Sequence, residues 1–164
     1  MAGCLPQPRG WAQYRSWPSS DRCDARSERP TGTGACRDRE GCADPAARDG
    51  VFIHISHGRE DPHRVLMALN MATMMSEDRD VAVYFDIDGV NVVLADAPDL
   101  TYAQFPSSKT QIATLLSKGV PLMACPGCLT AAGKSAADLA PGIQLADKQK
   151  FFSFTNGRIL TLDY

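Results

Sequence analysis

Long apolar runs are missing from this sequence of 164 residues. No run approaches the roughly 20 residues that a membrane-spanning helix needs, so the sequence predicts no membrane segment. The opening residues, MAGCLPQPRGWAQ, also lack the continuous apolar stretch that is typical of a secretory signal peptide. We therefore expect a protein of the cytoplasm that does not interact with membranes.

A strong excess of charge of one sign is also missing, because the formal net charge is -2 and charged residues make up only 22% of the chain. This balance excludes a globally basic nucleic-acid binder and an acidic chain that is disordered throughout. Phosphate-binding glycine loops, dinucleotide-binding fingerprints and Ser/His/Asp arrangements are absent as well. The sequence accordingly predicts neither a nucleic-acid partner nor a bound cofactor.

Residues 1–49 contain no Ile, Val, Phe or Lys, but they hold eight Arg and five of the eleven Pro. Such a stretch cannot bury enough apolar surface to offset the entropy lost on ordering, so we expect a disordered Arg/Pro-rich head. A start codon assigned upstream of the true one would explain this composition equally well. The four cysteines of the head, Cys4, Cys23, Cys36 and Cys42, form no CxxC pair and indicate no zinc module.

Residues 50–164 alternate between strand-like and helical patterns. Five β-branched or apolar runs predict strands, over 51–56, 81–85, 120–124, 143–146 and 158–162. Three longer segments predict helices, over 62–76, 108–118 and 148–155, the last with its phenylalanines facing inward. This alternation is typical of an α/β domain with a mainly parallel sheet that helices cover on both faces.

The helix predicted over 62–76 has little polar surface, because valine, leucine and four methionines occur on all of its faces. A helix of this kind is expected to pack against the sheet on one side and against another subunit on the other.

The strongest chemical signal is the motif Cys125-Pro126-Gly127-Cys128, which directly follows the third predicted strand. Unpaired backbone N–H groups at the start of a helix stabilise a thiolate, so Cys125 is a candidate nucleophile. Cys128 lies one helical turn further on and is placed to attack a mixed disulfide or a persulfide on Cys125. The alternative is a pair of buried, unreactive thiols.

Two histidines lie near the end of the first predicted strand. His57 comes just after it, on the sheet edge where Cys125 is expected, so we predict that it supports the thiolate or moves a proton. His54 is interpreted as a hydrogen-bonded core residue. Both histidines together with Cys125 and Cys128 have the ligand types of a zinc site, although a three-residue separation on a strand directs the two imidazoles to opposite faces.

Asp86 and Asp88 follow the second predicted strand and stand next to Gly89. A pair of carboxylates at such a place can act as acid and base or bind a metal. The neighbouring glycine favours the simpler interpretation that both aspartates are turn residues.

Residues 51–164 resemble the DsrE/DsrF-like family, whose members are also described as predicted peroxiredoxins. The resemblance depends on four segments: VFIHISHG, VAVYFDIDGV, LLSKGVPLMACPGC and ADKQKFFSFTNGRILTLDY. It implies a single three-layer α/β/α domain over residues 50–164. It also implies a homo-oligomer, with trimers and hexamers both occurring in the family.

By this resemblance Cys125 accepts sulfur as a persulfide, and its partners are sulfur donor and acceptor proteins or small sulfur species. Cys128 departs from the many relay members that have a single cysteine in this loop. Three hypotheses therefore stay open: a sulfur-transfer protein, a thiol–disulfide oxidoreductase that uses both cysteines, and a non-enzymatic oligomeric module in which the motif binds structural zinc or is inert.

Overall fold

Five short strands form one parallel sheet in the computed structural model, which describes residues 47–164. The strands are β1 (Gly50–Ile55), β2 (Asp80–Phe85), β3 (Leu122–Ala124), β4 (Gln144–Leu145) and β5 (Ile159–Asp163). Their order is β4-β3-β2-β1-β5, and every neighbouring pair is parallel. The predicted α/β class and the mainly parallel sheet of about five strands are confirmed. The predicted head lies outside the described residues, apart from residues 47–49.

Four helices and two short 3₁₀ helices connect the strands. The helices are α1 (Pro62–Met75), α2 (Ser108–Ser117), α3 (Pro126–Ala131) and α4 (Lys150–Ser153), and the 3₁₀ helices are Ile87–Val93 and Ala136–Asp138. The Asp61 carboxylate accepts a hydrogen bond from the Arg64 backbone N–H at 3.2 Å, which caps α1 as the Asp-Pro pair predicts. Among these helices of the described residues, none has the length and apolar character needed to cross a bilayer.

The core lies on one face of the sheet, between the strands and the helices α1 and α2. Alternate residues of the strands point into it, and the helices contribute a facing set of aliphatic side chains. The largest of these fully buried residues are Ile53, Ile55, Val83, Phe85, Leu122, Val65, Leu66, Leu69 and Leu115. Burial of such a set supplies most of the free energy that stabilises a domain of this size.

The opposite face of the sheet carries Phe52 and Tyr84 and is covered by α4, which has a single turn. The Phe151 ring packs edge-on against both rings, with centroid distances of 5.5 Å to Phe52 and 5.1 Å to Tyr84. The third layer is therefore present but thin. The prediction that all the phenylalanines of this helix face inward is wrong for Phe152, whose residue surface is 72% exposed.

The outer surface of α1 is less apolar than the sequence indicates. Met71 and Met75 pack against the core, whereas Met67 and Met74 are exposed. A contact between subunits through α1 stays a prediction, and it would involve the exposed Met67 and Met74.

Gly89 holds the 3₁₀ helix Ile87–Val93 against the carboxyl end of β1. Its backbone N–H donates to the Ser56 carbonyl oxygen at 3.2 Å and to the Asp86 carbonyl oxygen at 2.7 Å. A side chain at this position would collide with the Ile55 carbonyl oxygen, so only glycine allows this close approach. The turn predicted at Asp86–Gly89 is thus the start of a 3₁₀ helix that is fixed to the neighbouring strand.

We expect Gly89→Ala to lower the free energy of unfolding by about 1–3 kcal/mol, because the new methyl group must displace backbone. Urea denaturation of both proteins measures this change. Gly127→Ala is the matched control, since its Cβ meets only the Cys125 Sγ at 3.9 Å. Equal stability of Gly89→Ala and the parent protein would contradict the packing described here.

Candidate functional site

Cys125 stands at the junction between β3 and α3, where it is anchored on both sides. Its backbone N–H donates to the Phe85 carbonyl oxygen at 2.9 Å, which continues the pairing of β3 with β2. Its Sγ accepts a hydrogen bond from the Cys128 backbone N–H at 3.4 Å, so the side chain caps α3. Pro126 occupies the first helical position, which needs no N–H donor. This arrangement fixes the sulfur at the carboxyl edge of the sheet.

Tyr84, on the adjacent strand β2, lies close enough to Cys125 for the two side chains to shift each other's pKa. Burial raises the pKa of the Cys125 thiol, but the nearby Tyr84 hydroxyl and the hydrogen bonding from Cys128 outweigh it and hold the pKa below its ordinary value. Burial, followed by the neighbouring Cys125, raises the pKa of Tyr84. The hydroxyl therefore keeps its proton beside a thiolate.

Cys128 has the opposite acid–base behaviour. The Ile87 backbone N–H lowers the pKa of the Cys128 thiol, but burial and the neighbouring Cys125 sulfur, with Asp86 behind them, raise it above its ordinary value. Both cysteines are free thiols and are half-buried. The pair is therefore asymmetric: the Cys125 thiol loses its proton at a lower pH than the Cys128 thiol, which makes Cys125 the better candidate for a nucleophile.

Ile87 has a left-handed backbone with φ of 47°, which is costly for a β-branched residue. It is the first residue of the 3₁₀ helix, directly after Asp86, and its backbone N–H lowers the pKa of the Cys128 thiol. The strained backbone is held in place by the Gly89 contacts with β1. Local strain thus occurs directly beside the two thiols.

His54 lies between two carboxylates, Asp86 and Asp163, which make this side of the site acidic. Its Nδ1 lies 2.8 Å from Asp163 Oδ1, and its Nε2 lies 2.8 Å from Asp86 Oδ1. The first contact has hydrogen-bond geometry, whereas the second is too bent for one and acts as an ion pair. Burial lowers the pKa of His54, but Asp163 and Asp86 outweigh it and raise the pKa above its usual value. The imidazole also stacks on the Tyr84 ring with a centroid distance of 5.6 Å.

A cavity of about 460 Å³ opens on this face of the sheet, and we call it the aromatic pocket. It lies between β1, β2, β5 and α4. Its lining consists of Phe52, His54, Tyr84, Asp86, Phe151, Phe152, Ile159, Thr161 and Asp163. Tyr84 belongs both to this wall and to the environment of Cys125, so the pocket and the thiol are adjacent.

A larger cavity of about 550 Å³ lies elsewhere, and its lining includes Arg59, Asp88 and Lys134 but neither cysteine. Its size alone does not make it the site, because its lining among the described residues contains no cysteine, histidine or tyrosine. This cavity does show that the two aspartates of the predicted turn face different parts of the molecule. Asp88 faces this cavity, and Asp86 faces His54.

The structure brings together only part of the predicted set. Cys125 and Cys128 are in contact, but the His57 imidazole hydrogen-bonds to Ser56 Oγ at 3.3 Å. Within residues 47–164, no hydrogen bond or ion pair joins His57 to either thiol. The role predicted for His57 therefore has no contact to support it.

A zinc site formed by the two histidines and the CPGC cysteines also has no support. In the described part of the chain, no three His, Cys, Asp or Glu side chains are grouped closely enough to hold a metal ion. Residues 47–164 therefore supply no further ligand that would complete a metal site with the CPGC motif.

Sequence reasoning missed the participation of Tyr84 and Asp163, and it favoured a turn role for Asp86. The alternation of β2 places Tyr84 opposite the buried face, next to the strand end, which is a usable signal for a role at the site. Asp86 has a turn backbone, as predicted, but its carboxylate contacts His54. His54 is half-buried and hydrogen-bonded, as expected, but it lines a pocket instead of the core.

Comparison with known proteins identifies relatives of this fold. A model of the DsrE/DsrF-like family matches residues 49–156. The ychN protein from E. coli is similar in structure, with a TM-score of 0.55 and 16% sequence identity over 70% of this chain and 99% of that one. MTH1491, a protein of unknown function from Methanobacterium thermoautotrophicum, has a TM-score of 0.50 and 22% identity over 69% of this chain and 98% of its own. At these identities the likeness concerns the fold alone. No protein with a curated description matches the sequence.

The His54 contacts predict a pH-dependent contribution to stability. The folded-state pKa of His54 lies above 6.5, its value in an unfolded chain. The stabilisation is therefore complete below pH 6.5 and is lost as the pH rises through the folded-state pKa. Urea denaturation across this range is expected to show a steeper loss of stability in the parent protein than in His54→Gln. His63→Gln, which changes an exposed histidine of α1, serves as the control. Parallel profiles for the parent and His54→Gln would show that the ion pairs are not formed.

Proposed function

The chain belongs to the DsrE/DsrF-like family, and from that premise we propose that it is a sulfur-transfer protein that carries a persulfide on Cys125. The observation that carries this proposal is the hydrogen bonding at the Cys125 sulfur. The Cys128 backbone N–H donates to it at 3.4 Å, and the nearby Tyr84 hydroxyl lowers the pKa of the thiol, which together favour the thiolate that sulfur transfer requires. The half-buried position leaves the sulfur open to a small donor or to a partner thiol.

The proposed reaction has two nucleophilic steps. The Cys125 thiolate attacks the outer sulfur of a donor such as thiosulfate, the S–S bond of the donor breaks, and sulfite leaves with the electron pair. A thiolate of the acceptor then attacks the outer sulfur of the persulfide, and Cys125 leaves as a thiolate. Neither step needs an external oxidant or reductant. In both steps the Tyr84 hydroxyl stabilises the thiolate form of Cys125, which is the nucleophile of the first and the leaving group of the second.

Cys128 supports a second candidate, the thiol–disulfide oxidoreductase. Its backbone N–H donates to the Cys125 sulfur at 3.4 Å, so the two cysteines are already neighbours. If Cys128 attacks the inner sulfur of a persulfide, hydrosulfide leaves and an intramolecular disulfide forms. The raised pKa of Cys128 slows this attack, which favours the persulfide carrier over the oxidoreductase.

The partners proposed for Cys125 are a sulfur donor and an acceptor thiol, each a protein or a small sulfur compound. A homo-oligomer, such as a trimer or hexamer, remains part of the proposal by family resemblance. Two free thiols suit a reducing compartment, which keeps the cytoplasm as the proposed site of action.

The test is intact mass spectrometry of the full chain after incubation with thiosulfate or polysulfide. We expect a gain of one sulfur atom that is lost in Cys125→Ser and retained in Cys128→Ser. Ser117→Cys introduces a thiol on exposed α2 and serves as a control for non-specific sulfur uptake.

Loss of two hydrogens without added sulfur, requiring both Cys125 and Cys128, would replace the carrier with the dithiol oxidoreductase. Equal uptake by the parent protein and Cys125→Ser would contradict the assignment of Cys125, and no change of mass at all would leave the motif without either activity.

A further inference from the structure

The aromatic pocket has features that sulfur transfer to a small inorganic donor does not require. Phe52, Phe151, Phe152 and Ile159 provide an apolar wall. Its volume of about 460 Å³ falls within the range of roughly 300–1,000 Å³ that is usual for sites of small organic ligands. A pocket of this size and lining favours a ligand with an apolar body.

The polar end of the pocket carries a net negative charge. Asp86 and Asp163 face it, and the one histidine between them, His54, contributes at most a single positive charge. None of the described residues that line the pocket is a lysine or an arginine. An anion placed here would meet unfavourable charge, whereas an ammonium group would find two carboxylates and the faces of aromatic rings.

Tyr84 connects this pocket with the reactive sulfur. Its ring forms part of the pocket wall, and it precedes Phe85, whose carbonyl oxygen accepts the Cys125 backbone N–H at 2.9 Å. A ligand that fills the pocket therefore lies on the strand that is paired with Cys125. A donor sulfur attached to such a ligand would be held near Cys125.

We infer that the aromatic pocket binds a small organic cation with an apolar body, and that the preferred sulfur donor of Cys125 is a hydropersulfide of this class. The first statement stands on the pocket alone, and the second rests on the proposed function. In the transfer, the Cys125 thiolate attacks the outer sulfur of R–S–SH and the thiolate R–S⁻ leaves. The ammonium group of R is held by Asp163 and Asp86.

Binding is tested with a pair of probes that differ mainly in charge, 2-phenylethylammonium and 3-phenylpropanoate. Titration of the full chain is followed by the NMR chemical shifts of Phe152 and Thr161. We expect the cation to bind at least about fivefold more tightly than the anion, because one partly exposed charge contact contributes a difference in affinity of that size. Equal binding, tighter binding of the anion, or no binding of either probe would overturn the inference.

Asp163→Asn removes one of the two carboxylates and is expected to weaken binding of the cation by about fivefold. The side chain of Asp163 is 72% exposed, so the variant is expected to fold. Asp78→Asn is the matched control, since its side chain is 67% exposed and does not line the pocket. Phe152→Ala, which removes an exposed part of the wall, is a second variant that should weaken binding. Unchanged affinity in both Asp163→Asn and Phe152→Ala would remove the pocket as the binding site.

The link to sulfur transfer is tested separately with two benzyl hydropersulfides that carry a para aminomethyl group or a para carboxylate group. The ammonium compound is expected to load Cys125 faster, and Asp163→Asn should reduce the difference. Probe binding is also measured in Cys125→Ser, so a failure of sulfur loading leaves the binding result intact. Binding of the cation combined with equal loading rates would overturn the second statement and keep the first.

Discussion

The position of Tyr84 beside Cys125 joins the two parts of this site. It depends on the parallel register of β2 and β3, in which Tyr84 is opposite Met123. The Tyr84 hydroxyl keeps its proton and lowers the pKa of the Cys125 thiol, which favours the thiolate. The same ring forms part of the wall of the aromatic pocket. The proposed thiol chemistry and the proposed ligand binding therefore depend on one side chain.

The unequal covering of the sheet explains why a site exists on this face. The helices α1 and α2 bury one face completely, and that face supplies the stability. On the other face, α4 is a single turn, and Phe52, His54 and Tyr84 remain half-buried. A longer helix here would fill the aromatic pocket and separate His54 from solvent. The thin third layer thus leaves a surface with both polar and apolar side chains open next to Cys125.

Local patterns predict the position of Cys125 at the junction of β3 and α3. A strand end and a helix start are both visible within a few residues of it. The contact between His54 and Asp163 joins residues 109 positions apart and depends on the pairing of β1 with β5, which no local pattern shows. The role of Asp86 is predictable only in part. Its backbone role follows from the neighbouring glycine, whereas its carboxylate has a partner that only the fold reveals.

The asymmetry between the two thiols is the central claim, and residue-resolved titration tests it most directly. In protein labelled with ¹³C at the cysteine Cβ atoms, the chemical shifts of Cys125 and Cys128 are followed as the pH rises. The account predicts that Cys125 ionises at a lower pH than Cys128, and that Tyr84→Phe raises the pKa of Cys125. Ionisation of Cys128 first, or an unchanged Cys125 titration in Tyr84→Phe, would contradict it.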